Sequence, residues 1–453
     1  MSGFFKKILI ANRGEIAVRI IRACKELGIK TVAVYSTADS DSLHIKLADE
    51  SVCIGGPFPR ESYLNVMAII SAAKLTGCDA LHPGYGFLSE KQVLPELCQE
   101  LGITFIGPRS DVIKELGDKD KAKQLAKKTG IPTVPGAESG VENVEEAYDI
   151  ACSIGFPVLI KAVAGGGGRG MRIVYEKSEF KEQFSNAQQE VLSAFGDPNV
   201  LVEKYIPRAK HIEVQILGDL HGNYVHFGLR ECSVQRRFQK IIEEALPHLV
   251  SREIQETVAR DALKLVRSLG YHCLGTVEFI YDCDDQKHYF LEVNTRIQVE
   301  HPITEEITGR DLVKLQIMAG AGAKLPLSQK DITFNGHAIE LRVNAEDSVN
   351  LLPQSGKVHF YHQPSGFGVR VDSCLFSGAF VSPYYDSLLG KIILWAEDRD
   401  QCLKKALWAL NEMAVVGVET NQKFIEKILC NEEFVRGTYT TTLVDNLLSG
   451  IES

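Results

Sequence analysis

The sequence predicts a chain of mixed α/β and α+β class, with a parallel-sheet domain at its N-terminus and mixed domains after it. Three observations carry that expectation: a β-α-β opening, a strand–glycine loop–strand in the middle, and polar/apolar alternation joined by short turns in the second half. At 453 residues and 50.1 kDa the chain exceeds one hydrophobic core, and its length suggests about three domains. With 45% hydrophobic and 24% charged residues it reads as soluble and globular. A formal charge of −9 argues against holding nucleic acid by bulk charge. The 11 cysteines form no C-x-x-C pair, which suits a reducing cytoplasm better than a disulfide framework or a zinc site. No signal segment or membrane span is expected.

Lys7-Ile8-Leu9-Ile10-Ala11 reads as a buried strand, followed by a helix with Ile16, Ile20, Cys24 and Leu27 on one face and a strand over 31–35. The turn Asn12-Arg13-Gly14-Glu15 lacks G-x-G-x-x-G, which disfavours a dinucleotide site. Later units end at His82-Pro83-Gly84-Tyr85-Gly86 and Gly107-Pro108, at the sheet edge where open α/β sheets place ligands; packing turns explain these equally well. Around Gly117-Asp118-Lys119 one helix stops and another starts, with Asp118 as N-cap. Lys119 then opposes the helix dipole unless an anion compensates it. The proline-rich stretch 131–136 suggests a hinge.

After a strand ending at Lys161-Ala162 comes Gly165-Gly166-Gly167-Gly168-Arg169-Gly170, and a further strand is expected over 171–175. The Rossmann reading of these glycines fails because no helix follows; a flap with free backbone N–H groups for phosphates remains, beside a plain hairpin. A short strand at 201–206 precedes one in which His211, Glu213 and Gln215 alternate with apolar residues. Gln235-Arg236-Arg237-Phe238-Gln239-Lys240 suggests an anion site or a solvated loop. Strands at 275–281 and 288–294 read as an antiparallel hairpin, and if it centres on Asp285, Glu278 and Glu292 are cross-strand neighbours. Two such carboxylates call for a cation, and oxygen donors with Asn294 alongside suit Mg²⁺ or Mn²⁺ bridging nucleotide phosphates.

Glu292, Asn294, Arg296, Gln298 and Glu300 alternate with Val293, Thr295, Ile297 and Val299, as on a strand with one functional face. In the last domain Glu340, Arg342 and Asn344 alternate in the same way, and a strand after Asp386-Ser387-Leu388-Leu389-Gly390-Lys391 leads to closing helices.

Taken together, the stretches KILIANRGEIAVRIIR (7–22), HPGYGFLSE (82–90), GGGGRGM (165–171), HIEVQILG (211–218), EVNTRIQVEHP (292–302), GHAIELRVNAED (336–347) and PYYDSLLGK (383–391) resemble biotin carboxylase, the ATP-grasp component of acetyl-CoA carboxylase. The resemblance covers essentially the whole chain and implies an ATP-grasp fold. Its domains would be a Rossmann-like one over 1–117, an ATP-grasp domain over 118–333 with a glycine-flap subdomain at about 134–204, and a C-terminal mixed domain over 334–453. The chain stops soon after that domain without a Met-Lys-Met biotinylation sequence, so it resembles the free-standing subunit.

The implied reaction is ATP- and bicarbonate-dependent carboxylation of biotin on a carrier protein through carboxyphosphate. It would be the first half-reaction of acetyl-CoA carboxylase in malonyl-CoA and fatty-acid synthesis. The same module opens pyruvate and propionyl-CoA carboxylases, which is the alternative; a non-catalytic nucleotide-binding scaffold is a further one. By the resemblance, Lys119, Lys161, Gly167, Gly168, Glu203, Lys204, Tyr205, Ile206, His211 and Gln235 would hold ATP. Glu278, Glu292 and Asn294 would bind two Mg²⁺ or Mn²⁺ ions. Lys240, Arg296, Gln298 and the Val299 backbone would hold bicarbonate, Glu300 would remove its proton, and Arg342 would stabilise the biotin enolate. Implied partners are a biotin carboxyl carrier protein, carboxyltransferase subunits and a second copy of the chain. Phe238, Leu246 and Lys91 depart from the family pattern, which has histidine, proline and asparagine there.

Overall fold

The opening pattern folds into a five-stranded parallel sheet, ordered Glu50–Gly55, Lys30–Ser36, Lys7–Ile10, Ala80–His82, Thr104–Phe105. Ile8, Leu9 and Ile10 are wholly buried because helices cover both faces, the arrangement that allows uninterrupted apolar strands. The computed structural model describes residues 4–162, 171–195 and 198–450. The flap glycines Gly167 and Gly168 therefore lie outside the described residues.

Asp118 caps the helix Lys119–Lys128, its side chain accepting from the Lys121 N–H at 3.2 Å. A three-stranded antiparallel sheet, Arg172–Val174, Val158–Ala162 and Val200–Lys204, packs on the helices Val144–Ile154 and Phe180–Phe195. The largest sheet has eight strands, ordered Lys287–Asn294, Cys273–Asp282, Ala209–Gly218, Tyr224–Arg236, Gln239–Ala245, His337–Asn344, Leu388–Ala396, Val369–Ser373. It crosses the expected boundary at 333/334, since Gln239–Ala245 pairs directly with His337–Asn344. Among the described residues no helix is long and apolar enough to cross a membrane.

The expected strand through Val299 is corrected. The strand ends at Asn294, and residues 295–300 are irregular. Two side chains end the ladder: the Gly275 carbonyl, opposite the next rung, accepts from Gln215 Nε2 at 2.8 Å, and the Thr295 N–H donates to Glu90 Oε1 at 3.2 Å. The polar residues from Arg296 to Glu300 therefore do not share one strand face. They enter the site from a loop that Glu90 holds, and Glu300 stands just before the helix His301–Thr308 without bonding to its first turn.

Leu246 adopts φ +65° and donates its N–H to the Leu229 carbonyl at 3.0 Å. Proline can supply neither feature, which accounts for that departure.

Candidate active site

Four strands bring Glu292, Glu278, Glu213 and Arg230 into one transverse row. Glu278 is paired with Glu292 on one side and with Glu213 on the other, and Glu213 with Arg230. The first pairing depends on a bulge. Near the turn Phe279 faces Phe290, but Glu278 faces Glu292, leaving Leu291 as the extra residue. Without it Glu278 would oppose Leu291 and the two acids would point to opposite faces.

Carboxylates about 4 Å apart repel by about 4 kcal/mol at an effective dielectric near 20, so this row needs cations. Arg230 Nε donates to Glu213 at 2.5 Å. Lys240 Nζ reaches Glu213 at 2.6 Å, Glu278 at 3.4 Å and Glu300 at 2.6 Å. The amides of Asn294 and Gln298 donate to Glu278 at 2.7 and 3.1 Å, and His211 Nε2 lies 2.9 Å from its other oxygen. Burial pushes the Glu278 carboxyl up, but Lys240 and His211 outweigh it and hold it well below the usual range. Burial pulls Lys240 down, and the surrounding acids hold it well above an ordinary lysine.

Glu300 has no exposed surface and lies between Lys240 and Arg342, whose NH2 donates at 2.8 Å. Arg342 Nε is held at 2.5 Å by Glu243. Arg296 Nε donates to Glu90 at 2.9 Å, and its other nitrogens to Gln298 Oε1 at 3.2 Å and Asn294 Oδ1 at 3.0 Å. The Val299 carbonyl accepts from Lys391 Nζ at 2.7 Å, which fixes that peptide plane. Beside this cluster a cavity of about 140 Å³ is lined by Arg13, Glu15, Tyr85, Phe87 and Asp386. Glu15 joins it to the cluster through Tyr85 Oη at 2.5 Å and Lys391 Nζ at 3.1 Å.

The expected nucleotide residues divide in two. Lys119 Nζ lies 3.2 Å from Glu292, and Gln235 Nε2 donates to His211 Nδ1 at 2.8 Å, so these three adjoin the acidic row. Lys161 Nζ pairs instead with Glu203 at 2.5 Å, together with Lys123 at 2.8 Å. The Lys204 ammonium is taken up by the carbonyls of Gly155 and Phe156, and its backbone N–H by the Pro135 carbonyl at 2.8 Å. Ile206 is buried and Tyr205 packs edge-on against Tyr175.

A hard divalent cation fits the Glu292 end of the row. The donors there are oxygens, and Glu292 is 38% exposed and paired with a Lys119 that is 82% exposed, a contact a cation could displace. The closest groupings of possible ligand atoms, His211-Glu213-Glu278 and Glu213-Cys232-Glu300, are buried and already joined to Lys240 and Arg230.

Sequence reasoning missed Glu90, Lys123, Glu213, Arg230 and Glu243. Glu213 had a signal, since it alternates with His211. The others become site residues through pairings between distant strands and loops, which no local pattern marks.

Three family profiles tile the chain: "Biotin carboxylase, N-terminal domain" over 4–113, "Carbamoyl-phosphate synthase L chain, ATP binding domain" over 118–328, and "Biotin carboxylase C-terminal domain" over 340–446. The chain is 50% identical over 441 residues to Biotin carboxylase 1 of Bacillus subtilis, covering 97% of this chain and 98% of that one. It is 49% identical over 450 residues to a pyruvate carboxylase subunit of Methanothermobacter thermautotrophicus, covering 99% and 91%. A solved biotin carboxylase from Campylobacter jejuni, in complex with a compound described as β-γ-ATP, superposes with TM-score 0.91 at 44% identity over 98% of this chain and 99% of that one. The biotin carboxylase domain dimer of Hydrogenobacter thermophilus 2-oxoglutarate carboxylase, solved with MgADP, ADP and bicarbonate, gives TM-score 0.90 at 47% identity over 98% of each chain.

Proposed function

The chain belongs to the biotin carboxylase family and is an ATP-dependent ligase, and from that premise we propose that it carboxylates biotin on a carrier protein with ATP and bicarbonate. The observation that carries this reading is Glu300: a buried carboxylate between Lys240 and Arg342, with Lys240 linking it to Glu278, to which Gln298 is bonded and, through Gln298, Arg296. A general base lined by cations suits a small anionic acid such as bicarbonate.

In this reading Lys240, Arg296, Gln298 and the Val299 N–H hold bicarbonate while Glu300 takes its proton. The freed oxygen attacks the γ-phosphorus of ATP, ADP leaves, and carboxyphosphate forms. That intermediate delivers CO₂ to the ureido nitrogen of biotin as phosphate departs. For that transfer the released phosphate takes the ureido N–H proton, Arg342 stabilises the enolate oxygen so formed, and the nitrogen then bonds to CO₂. Lys119, Lys161, Glu203, Lys204, Tyr205, Ile206, His211, Gln235 and the flap glycines Gly167 and Gly168 are assigned to the nucleotide. Glu278, Glu292 and Asn294 would hold Mg²⁺ or Mn²⁺, whose charge would offset that on the phosphates.

We assign the product to a carboxyltransferase acting on acetyl-CoA, in a homodimeric enzyme with a biotin carboxyl carrier protein. The domains are assigned to 1–117, 118–333 and 334–453. The relatives named for pyruvate and 2-oxoglutarate carboxylases favour a second reading, in which the carboxyl acceptor is a 2-oxo acid. The test is ATP hydrolysis with and without bicarbonate and free biotin. Hydrolysis indifferent to both would sink the carboxylation reading, and coupling to purified carriers and transferases would decide the acceptor.

A further inference from the structure

Behind Arg342 lie two carboxyls that this mechanism leaves unused. Glu243 and Glu340 are direct cross-strand partners, so their side chains leave the same face of the sheet with Cβ atoms about 5 Å apart. Both are wholly buried. Of their four oxygens only Glu243 Oε1 has a partner, Arg342; Glu243 Oε2 and both Glu340 oxygens have none.

The charges around them do not compensate two anions. Arg342, Lys240 and Glu300 face Glu243, while Lys391, Arg342 and Glu300 face Glu340. Lys391 is itself shared with Glu15 and Asp372. The helix His301–Thr308, packed on the strands from both sides of the pair, adds His301, which burial holds uncharged. Burial pushes Glu243 up to about 7 against the pull of Arg342, and pushes Glu340 well above the carboxylate range. Two buried carboxyls side by side with so little cationic charge retain a proton between them. Glu243 is already an acceptor for Arg342, so the proton belongs on Glu340, where an O–H would supply the donor that Glu243 Oε2 lacks.

We propose that Glu243 and Glu340 act as one positioning unit for Arg342: Glu340, as the neutral acid, donates to Glu243, and the Glu243 carboxylate orients the guanidinium that meets the enolate. This rests on the assignment of Arg342 above. Removing the shared proton would place a second anion behind the guanidinium and draw it away from the substrate.

The test combines kinetics with infrared spectroscopy of the full chain. Glu243→Gln should lower kcat for biotin carboxylation about 10- to 100-fold, with KM for ATP within about twofold. Glu340→Gln, which removes the titration while keeping an N–H donor, should extend the kcat plateau to higher pH than wild type. The wild-type-minus-Glu340→Gln difference spectrum at neutral pH should contain the C=O stretch of a protonated carboxylic acid. An absent acid band, a Glu340→Gln pH profile that superposes on wild type, or a Glu243→Gln enzyme with unchanged kcat would overturn the proposal. The infrared result needs no turnover, so it stands apart from the carboxylation reading, which wild-type activity tests separately.

Discussion

Burial alone would push the Glu300 carboxyl up, but Lys240, Arg342 and Arg230 outweigh it and hold it well below the ordinary carboxylate range. It is therefore ionised at any working pH, and a weak base while those cations are unshared. An anion seated on Lys240 and Arg296 would compete for the same charges and raise its proton affinity as the substrate arrives. Glu300→Gln keeps the shape and removes the base. Bicarbonate-dependent turnover should fall about 100- to 1,000-fold while nucleotide affinity, measured by calorimetry, stays within about twofold; unchanged turnover would remove the assignment. A second residue-scale effect concerns His44 and His82 in the N-terminal domain, which burial pushes down to about 4 and about 3. Unfolded histidine titrates near pH 6.5, so the unfolded chain binds protons that the folded one refuses. Their contribution is complete above that pH and is lost as the pH falls toward about 4 and then 3. Unfolding free energies from urea titration should fall between pH 7 and pH 4, by roughly 1.4 kcal/mol for each unit and each histidine at most. A flat profile would contradict the neutral assignment.

At the scale of elements, regular structure was legible because it is written in local periodicity. The apolar run at Lys7–Ile10 and the alternation at Ala209–Gly218 each became the strand they suggest. The strand end at Asn294 was not legible, because the groups that intercept the ladder come from far away: Glu90 is 205 residues from Thr295, and Gln215 is 60 from Gly275. Alternation continues past Asn294 while the hydrogen bonds do not. Arg296, Gln298 and Glu300 nevertheless reach the acidic row, since from a loop their side chains still bond to Asn294, Glu278 and Lys240. The bulge at Leu291 was hidden too, although the pairing of Glu278 with Glu292 rests on it. Deleting Leu291 should remove the bulge and leave Glu292 opposite Glu278 on the same face, now in simple register. ATP-dependent turnover should then stay within about tenfold of wild type with the circular dichroism spectrum retained, and a larger loss in a folded variant would show that the local twist of the bulge, beyond the facing of the two acids, sets the site. Deleting Asp284 in the exposed turn should leave turnover within about threefold.

For the whole molecule, the eight-stranded sheet decides which parts can exist alone. Family profiles end and begin near 328 and 340, yet the sheet passes straight through that interval. Gln239–Ala245 borrows His337–Asn344 as its outer neighbour, and Val234, Ile241 and Ile242 complete an apolar cluster made mostly of C-terminal residues such as Leu341, Ile392 and Leu410. Glu244 is bonded by His337, Arg399 and Tyr439, all from beyond the boundary. The proposed site has the same dependence, because Arg342 and Lys391 reach Glu300 and Val299 from the C-terminal side. A chain cut after residue 333 would expose a long unpaired edge flanked by bare apolar side chains, the combination that promotes pairing between molecules. Such a fragment should be insoluble or elute as large aggregates on size exclusion, and the intact chain should unfold this sheet in one cooperative transition by urea titration. A monomeric 1–333 fragment with its own cooperative transition would mean that the ATP-binding part needs no C-terminal partner. The site would then be assembled by docking of finished domains, not by completion of a shared sheet.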